Sequence, residues 1–146
     1  VTLANPRIQL SARVVIPGVP PNWAQWRGHS IGRDIDKAGW RDLAYLLAHS
    51  ARNAARWPYP IKTDPPVRRW LEVAIHKVGQ RYDDDGAVAC LKPLIDGCFA
   101  GRPGPLAWDD SPAWLALVTP PCDMQHVVAT AAQERVVLVV HLVDPR

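Results

Sequence analysis

The chain has 146 residues, 48% of them hydrophobic and 21% charged, with a net charge of +3 and a pI near 9.0. That length suits one compact domain, which buries roughly 68–70% of its unfolded surface and needs no disulfide or structural metal to fold. No apolar run approaches the roughly 18 residues of a membrane helix, and the opening residues do not read as a signal peptide, so a cytoplasmic protein is expected. The mild basic excess is compatible with a polyanionic partner but does not require one. Cys90, Cys98 and Cys122 are odd in number and irregularly spaced, which points to reduced thiols. A zinc site from Cys98, Cys122 and His126 lacks the C-x-x-C spacing, and Cys90 and Cys98 fit an apolar helix face.

Arg7–Ile16 alternates imperfectly and becomes β-branched toward its end, which predicts a strand. Pro17, Pro20 and Pro21 stop it in an extended loop ending at Asn22. Trp23 and Trp26 follow, close to Arg27 and His29. They suit packing at the domain edge, or a surface on which unpaired bases stack. From about Ile35 to Ala55, Trp40, Leu43, Ala44, Leu47, Ala51 and Ala54 recur at helical spacing, with Asp34 as the expected N-cap. Arg33, Lys37 and Arg41 lie four apart along or just ahead of this helix, and Arg52 and Arg56 continue the basic character. Such a stripe is a solvated face or a row of contacts to successive phosphates.

Pro58, Pro60, Pro65 and Pro66 form a connection, with too little chain on either side for two cores. Val67–Lys77 alternates as a strand, with Leu71, Val73 and Ile75 on one face. It delivers the chain to Asp83-Asp84-Asp85 and a helix from about Gly86 to Phe99. After a Gly/Pro loop come Asp109-Asp110 and three expected strands, Ala113–Val118, Val127–Ala131 and Arg135–Val143. The last two are expected to pair as a hairpin across residues 132–134. The elements describe one α/β domain, α+β in stricter terms, with a mixed sheet and two principal helices.

One aspartate caps a helix well, whereas three adjacent ones add repulsion that exposure or a cation must relieve. Counted at about 100° per residue, Asp85, Lys92 and Asp96 share an arc of about 40°. Val88, Leu91, Leu94, Ile95 and Cys98 are expected on the apolar side. A carboxylate cluster with a nearby ammonium suits metal-assisted phosphodiester cleavage: hard oxygens hold Mg²⁺, and the lysine offsets charge on the scissile phosphate. A further carboxylate is needed from elsewhere, and Asp109-Asp110 is the best remaining acidic pair.

Asp83-Asp84-Asp85, then Lys92, Asp96 and Asp109-Asp110, resemble the RusA-like Holliday junction resolvases. That family carries a D-x-D-N motif, a lysine, an aspartate four residues later and a subsequent Asp-Asp pair. Ile16-Pro17 and Pro20-Pro21-Asn22 are similar to its first strand and Pro-Pro-x-Asn loop, so the resemblance spans roughly residues 8–118. It implies one endonuclease domain over residues 1–146, with Asp83, Asp85 and Asp110 as catalytic metal ligands and Lys92 as the catalytic lysine. Asp96 and Asp109 would support that shell, and Asn22, Arg27, Arg33, Lys37 and Arg41 would contact DNA. It further implies Mg²⁺ or Mn²⁺, a homodimer, and nicking of four-way junctions in phage or bacterial recombination and repair. Three departures stand out. Gly86 replaces the motif's Asn, the Asp-to-Lys interval is a turn longer than in the shorter form, and Pro93, which removes a helical donor, is expected to kink the helix. If the missing amide orients a ligand, Gly86→Asn is expected to raise activity. A DNA-structure-binding relative with weakened chemistry and a metal-dependent nucleotide phosphohydrolase remain open; the lack of a glycine-rich phosphate loop before a helix weighs against the latter.

Overall fold

The computed structural model describes residues 8–64 and 69–143. Arg7, Pro65, Pro66 and the first two residues of the expected second strand lie outside the described residues. In β1 (Ile8–Pro17), Ala12, Val14 and Ile16 point inward while Ser11, Arg13 and Val15 point out, the period of two that a strand covered on one face requires. β2 (Arg69–Val78) buries Leu71, Val73 and Ile75 in the same way. β5 (Arg135–Val143) runs antiparallel to both and lies between them. β3 (Ala116–Leu117) and β4 (Gln125–Val128) pair parallel with successive halves of the other edge of β2, completing a mixed five-stranded sheet.

The expected hairpin of the last two strands does not form. β4 runs along β2, and a single helical turn at Ala131–Gln133 sends the chain to the centre of the sheet. The run Val-Val-Leu-Val-Val in β5 is apolar on both faces, which suits a central strand better than a hairpin arm. The expected strand at 113–118 shrinks to two residues, and that at 127–131 shifts to 125–128.

Helix α1 (Ser30–Ala55) starts earlier than its apolar period suggests. His29, not Asp34, is the N-cap, its Nδ1 accepting the Ile31 N–H at 3.4 Å. Ile31 in this added turn and Ile35 just after it are exposed, so burial gives no apolar signal there. Arg33, Lys37 and Arg41 therefore all lie within the helix. On the inner face Ala44 and Ala48 are fully buried and Ala55 packs beside them, whereas the expected Ala54 is exposed.

Helix α2 (Asp84–Phe99) continues through Pro93, which is buried. Val88 is 45% exposed instead of facing the core; it lies about 60° from Asp85 on the helix wheel, beside the polar seam. Both helices contribute to one core against the inner face of the sheet. They meet at Gly97, where a Cβ would collide with the Arg41 carbonyl and lie 2.9 Å from the Ala44 Cβ. Gly97→Ala is expected to push the helices apart and cost about 1–3 kcal/mol, as overpacking does. Urea unfolding measures it, and an unchanged midpoint would contradict the close approach. No helix among the described residues is long and apolar enough to cross a membrane.

Candidate metal centre and nucleic-acid interface

The acidic cluster is placed by the exit of β2. Gly79 turns the chain at φ 78°, a left-handed conformation that favours glycine. Gln125, buried in β4, then clamps Tyr82: its Oε1 accepts the Tyr82 N–H at 2.8 Å and its Nε2 donates to the Tyr82 carbonyl at 2.7 Å. The Gln125 carbonyl accepts from Arg81 at 2.9 Å, and the Tyr82 hydroxyl donates to the Pro20 carbonyl at 2.9 Å. Asp83 follows as N-cap of α2, its Oδ1 accepting the Gly86 N–H at 2.7 Å. Asp84 and Asp85 are exposed in the first turn, where the helix dipole favours negative charge.

Gly86 is buried, and an Asn there would have to push aside the ends of two side chains. A Cβ there would run into the Asn22 side-chain amide and come within 2.6 Å of Asp83 Oδ1. Asn22 uses its Oδ1 to accept the Ala24 N–H at 3.1 Å and packs its Nδ2 over Gly86, so its carboxamide fills the space beside Asp83. Gly86→Asn is therefore expected to displace Asn22 and loosen the Asp83 cap. The sign reverses the expectation from the motif alone. A loss of thermal stability and metal affinity checks it; a gain in both would contradict it.

Along α2, Lys92 Nζ donates to Asp96 Oδ1 at 2.8 Å and to Asp110 Oδ2 at 3.1 Å, the latter 18 residues away in sequence. The bonded Asp96 carboxylate raises the Lys92 pKa above its ordinary value; Asp110 adds to this and partial burial opposes it. Lys92 is thus a fixed positive charge at neutral pH and not a base. Asp109 and Asp110 point different ways in this loop, Asp109 inward and Asp110 toward Lys92. Asp109 is not solvent-facing: it is 8% exposed, its Oδ1 accepts the Asp110 N–H at 3.0 Å, and its Oδ2 lies 3.3 Å from Arg102 Nε. It anchors the segment that presents Asp110.

Lys37 and Arg41 of α1 line a cleft of about 300 Å³ together with Lys92, Pro93 and Asp96. A second cleft of about 360 Å³ at the Asp83 end is lined by Asn22, Lys77, Arg81 and Asp83. Of the other expected DNA contacts, Arg27 is exposed before α1 and Arg33 Nε lies 3.9 Å from Asp34; neither lines these clefts. Lys77 and Arg81 were not singled out in the sequence, although their place beside Asp83 was a usable signal. Trp23 is buried, 5.7 Å from the Trp26 ring, and so packs instead of offering a stacking face. Cys90 and Cys98 are free and buried, their thiols pushed up to about 12 by burial, while Cys122 is exposed.

The carboxylates have the hard-oxygen chemistry that Mg²⁺ takes, and Asp83 and Asp110 each keep one oxygen outside the bonds just described. Among the described residues, no three His, Cys, Asp or Glu side chains converge as a ready-made metal cage. Asp110 and Asp96 share Lys92; Asp83 and Asp85 stand apart at the helix start. Mg²⁺ commonly uses one or two carboxylates with substrate phosphates and waters, so this donor set fits it in chemistry without a closed cage. No family model, curated protein or solved structure matches the chain.

Proposed function

We propose that this chain is a Mg²⁺-dependent endodeoxyribonuclease that nicks branched DNA, foremost four-way junctions, as a homodimer. The observation that carries the reading is Lys92, held between Asp96 and the sequence-distant Asp110 at a cleft lined by Lys37 and Arg41. Asp83 and Asp85 stand two turns back on the same helix. Asp83 and Asp85 at the helix start and Asp110 beside Lys92 do not converge in this structure. Drawn together on substrate they would hold the metal, with Mn²⁺ as a substitute, and the ion would supply an activated water and stabilise the leaving oxygen. Lys92 then meets the charge that grows on the scissile phosphate, and Asp96 and Asp110 fix its ammonium. Lys37 and Arg41 take neighbouring phosphates, which positions the strand without reading bases. Lys77 and Arg81 do the same at the Asp83 end.

The test uses end-labelled four-way junction, flap and plain duplex, each with and without Mg²⁺. Metal-dependent nicks in the branched substrates are expected. Metal-independent junction binding with no product would identify a binding-only relative, and phosphate release from nucleotides with DNA intact would identify a phosphohydrolase. Within the site, Asp110→Asn is expected to bind junctions but not nick them, across a Mg²⁺ titration. Asp109→Asn keeps measurable nicking and loses stability, because it anchors the loop. Normal nicking by Asp110→Asn beside an inert Asp109→Asn would shift the third ligand by one residue.

A further inference from the structure

The cleft beside Lys92 does not end there. Arg41 and Asp96 are shared with a wider cleft of about 610 Å³, floored by Gly97, Ala100 and Gly101 and bordered by Tyr45. Tyr45 in turn borders a third hollow of about 230 Å³ formed with His49, Arg52, Tyr59 and the Pro103–Pro105 stretch. The three clefts follow one another along α1, each sharing a lining residue with the next. Lys37, Arg41, Tyr45, His49 and Arg52 lie at helical spacing on one face, and from Lys37 to Arg52 that face is about 22 Å long.

We propose that these clefts together form a groove that binds an unpaired DNA strand running away from the cleavage site, with bases stacking on Tyr45 and Tyr59; the inference rests on the nuclease reading above. The near end is basic and suits phosphates. The far end is aromatic: Tyr45 is 48% and Tyr59 67% exposed, although both are large rings that burial would favour. Each ring is already positioned. His49 meets Tyr45 edge-on with centroids 4.4 Å apart, and the Arg52 guanidinium lies 5.9 Å from the Tyr59 ring. Three carboxylates also line the groove and each has a cation beside it, Asp34 3.9 Å from Arg33, Asp42 3.7 Å from Arg41 and Asp96 2.8 Å from Lys92. The positive excess along the lining is therefore small, and the aromatic rings carry the proposal. The glycines and alanine of the floor leave width for a flat base. Paired bases present only their edges, so a stacking platform selects a single strand over a duplex. A proline-rich peptide also uses aromatic grooves, but gives Lys37 and Arg52 no anionic partner. At roughly 3.4 Å per stacked nucleotide, the groove spans about six nucleotides.

The test measures binding of fluorescein-labelled oligothymidylate and of a duplex of equal length by anisotropy, without added metal. Tyr45→Ala and Tyr59→Ala are each expected to weaken oligothymidylate binding about ten-fold and to lower the preference for single strand over duplex. Tyr→Phe at either site retains the ring and the affinity. Folded alanine variants that bind oligothymidylate like wild type would overturn the groove, and wild-type nicking of junctions would then leave the nuclease reading standing. Loss of single-strand binding in the alanine variants, with no DNA nicked under any divalent metal, would keep the groove and remove the nuclease. Tighter binding of a labelled polyproline peptide than of oligothymidylate would replace the strand by a peptide.

Discussion

Lys92→Ala is expected to lower single-turnover nicking by about 10²–10³-fold, the usual cost of removing one fixed positive or hydrogen-bonding group aimed at developing charge. The ammonium has two carboxylate partners, at 2.8 and 3.1 Å, and is held protonated by them. Its removal leaves Asp96 and Asp110 without their shared cation and the scissile phosphate without a counter-charge. The fold survives, because the side chain is 66% exposed and points away from the core. Junction binding is also expected to survive, since Lys37 and Arg41 remain at the cleft. Lys92→Arg rescues poorly: a planar fork prefers a bidentate grip on one carboxylate over a point contact to two. The measurement is a nicking rate at saturating Mg²⁺ beside a mobility shift at the same salt. Near-wild-type nicking by the alanine variant would take Lys92 out of the mechanism.

Asp64→Ala is expected to be the most destabilising of these substitutions, by about 3–5 kcal/mol, as when one partner of a buried ion pair is removed. Arg69, at the start of β2, is 1% exposed, with its guanidinium 3.1 Å from Asp64 Oδ2. Its Nε donates to the Leu106 carbonyl at 2.9 Å, and the Trp57 indole donates to that same carbonyl at 2.9 Å. One buried cation thus ties the segment after α1 to β2 and to the loop that carries Asp109 and Asp110. Loss of the carboxylate removes one charged partner of a buried guanidinium, against a total stability of about 5–15 kcal/mol for a domain. Arg69→Met is expected to cost less, because it removes the charge and keeps most of the volume. Urea unfolding of both variants makes the comparison; equal, small losses would mean the pair contributes little.

The local periodicities were enough for the existence of β1, the inward face of β2, the extent of β5 and the start of α2 at the acidic run. They also gave part of the inner face of α1, where Ala48 was missed and Ala54 is exposed. Each is decided by neighbours a few residues apart, through alternation or helical spacing. The seam of Asp85, Lys92 and Asp96 was legible for the same reason, and a stricter count on that wheel already places Val88 beside it. Strand pairing was not legible, because a strand's alternation says which face is buried and not which strand lies next to it. Only the assembled sheet inserts β5 between β1 and β2, lays β4 along β2 and so brings Gln125 onto Tyr82 to aim the acidic turn. The same holds for Gly86 against Asn22, Gly97 against Arg41, and Arg69 against Asp64: each is a contact between separate elements that no local pattern encodes. Asp110 could be named from the family motif, but its meeting with Lys92 needed a loop anchored by the buried Asp109. The tyrosine end of the proposed groove likewise depends on tertiary structure, since Tyr45 and Tyr59 share no local pattern and only the fold brings both beside His49 and Arg52.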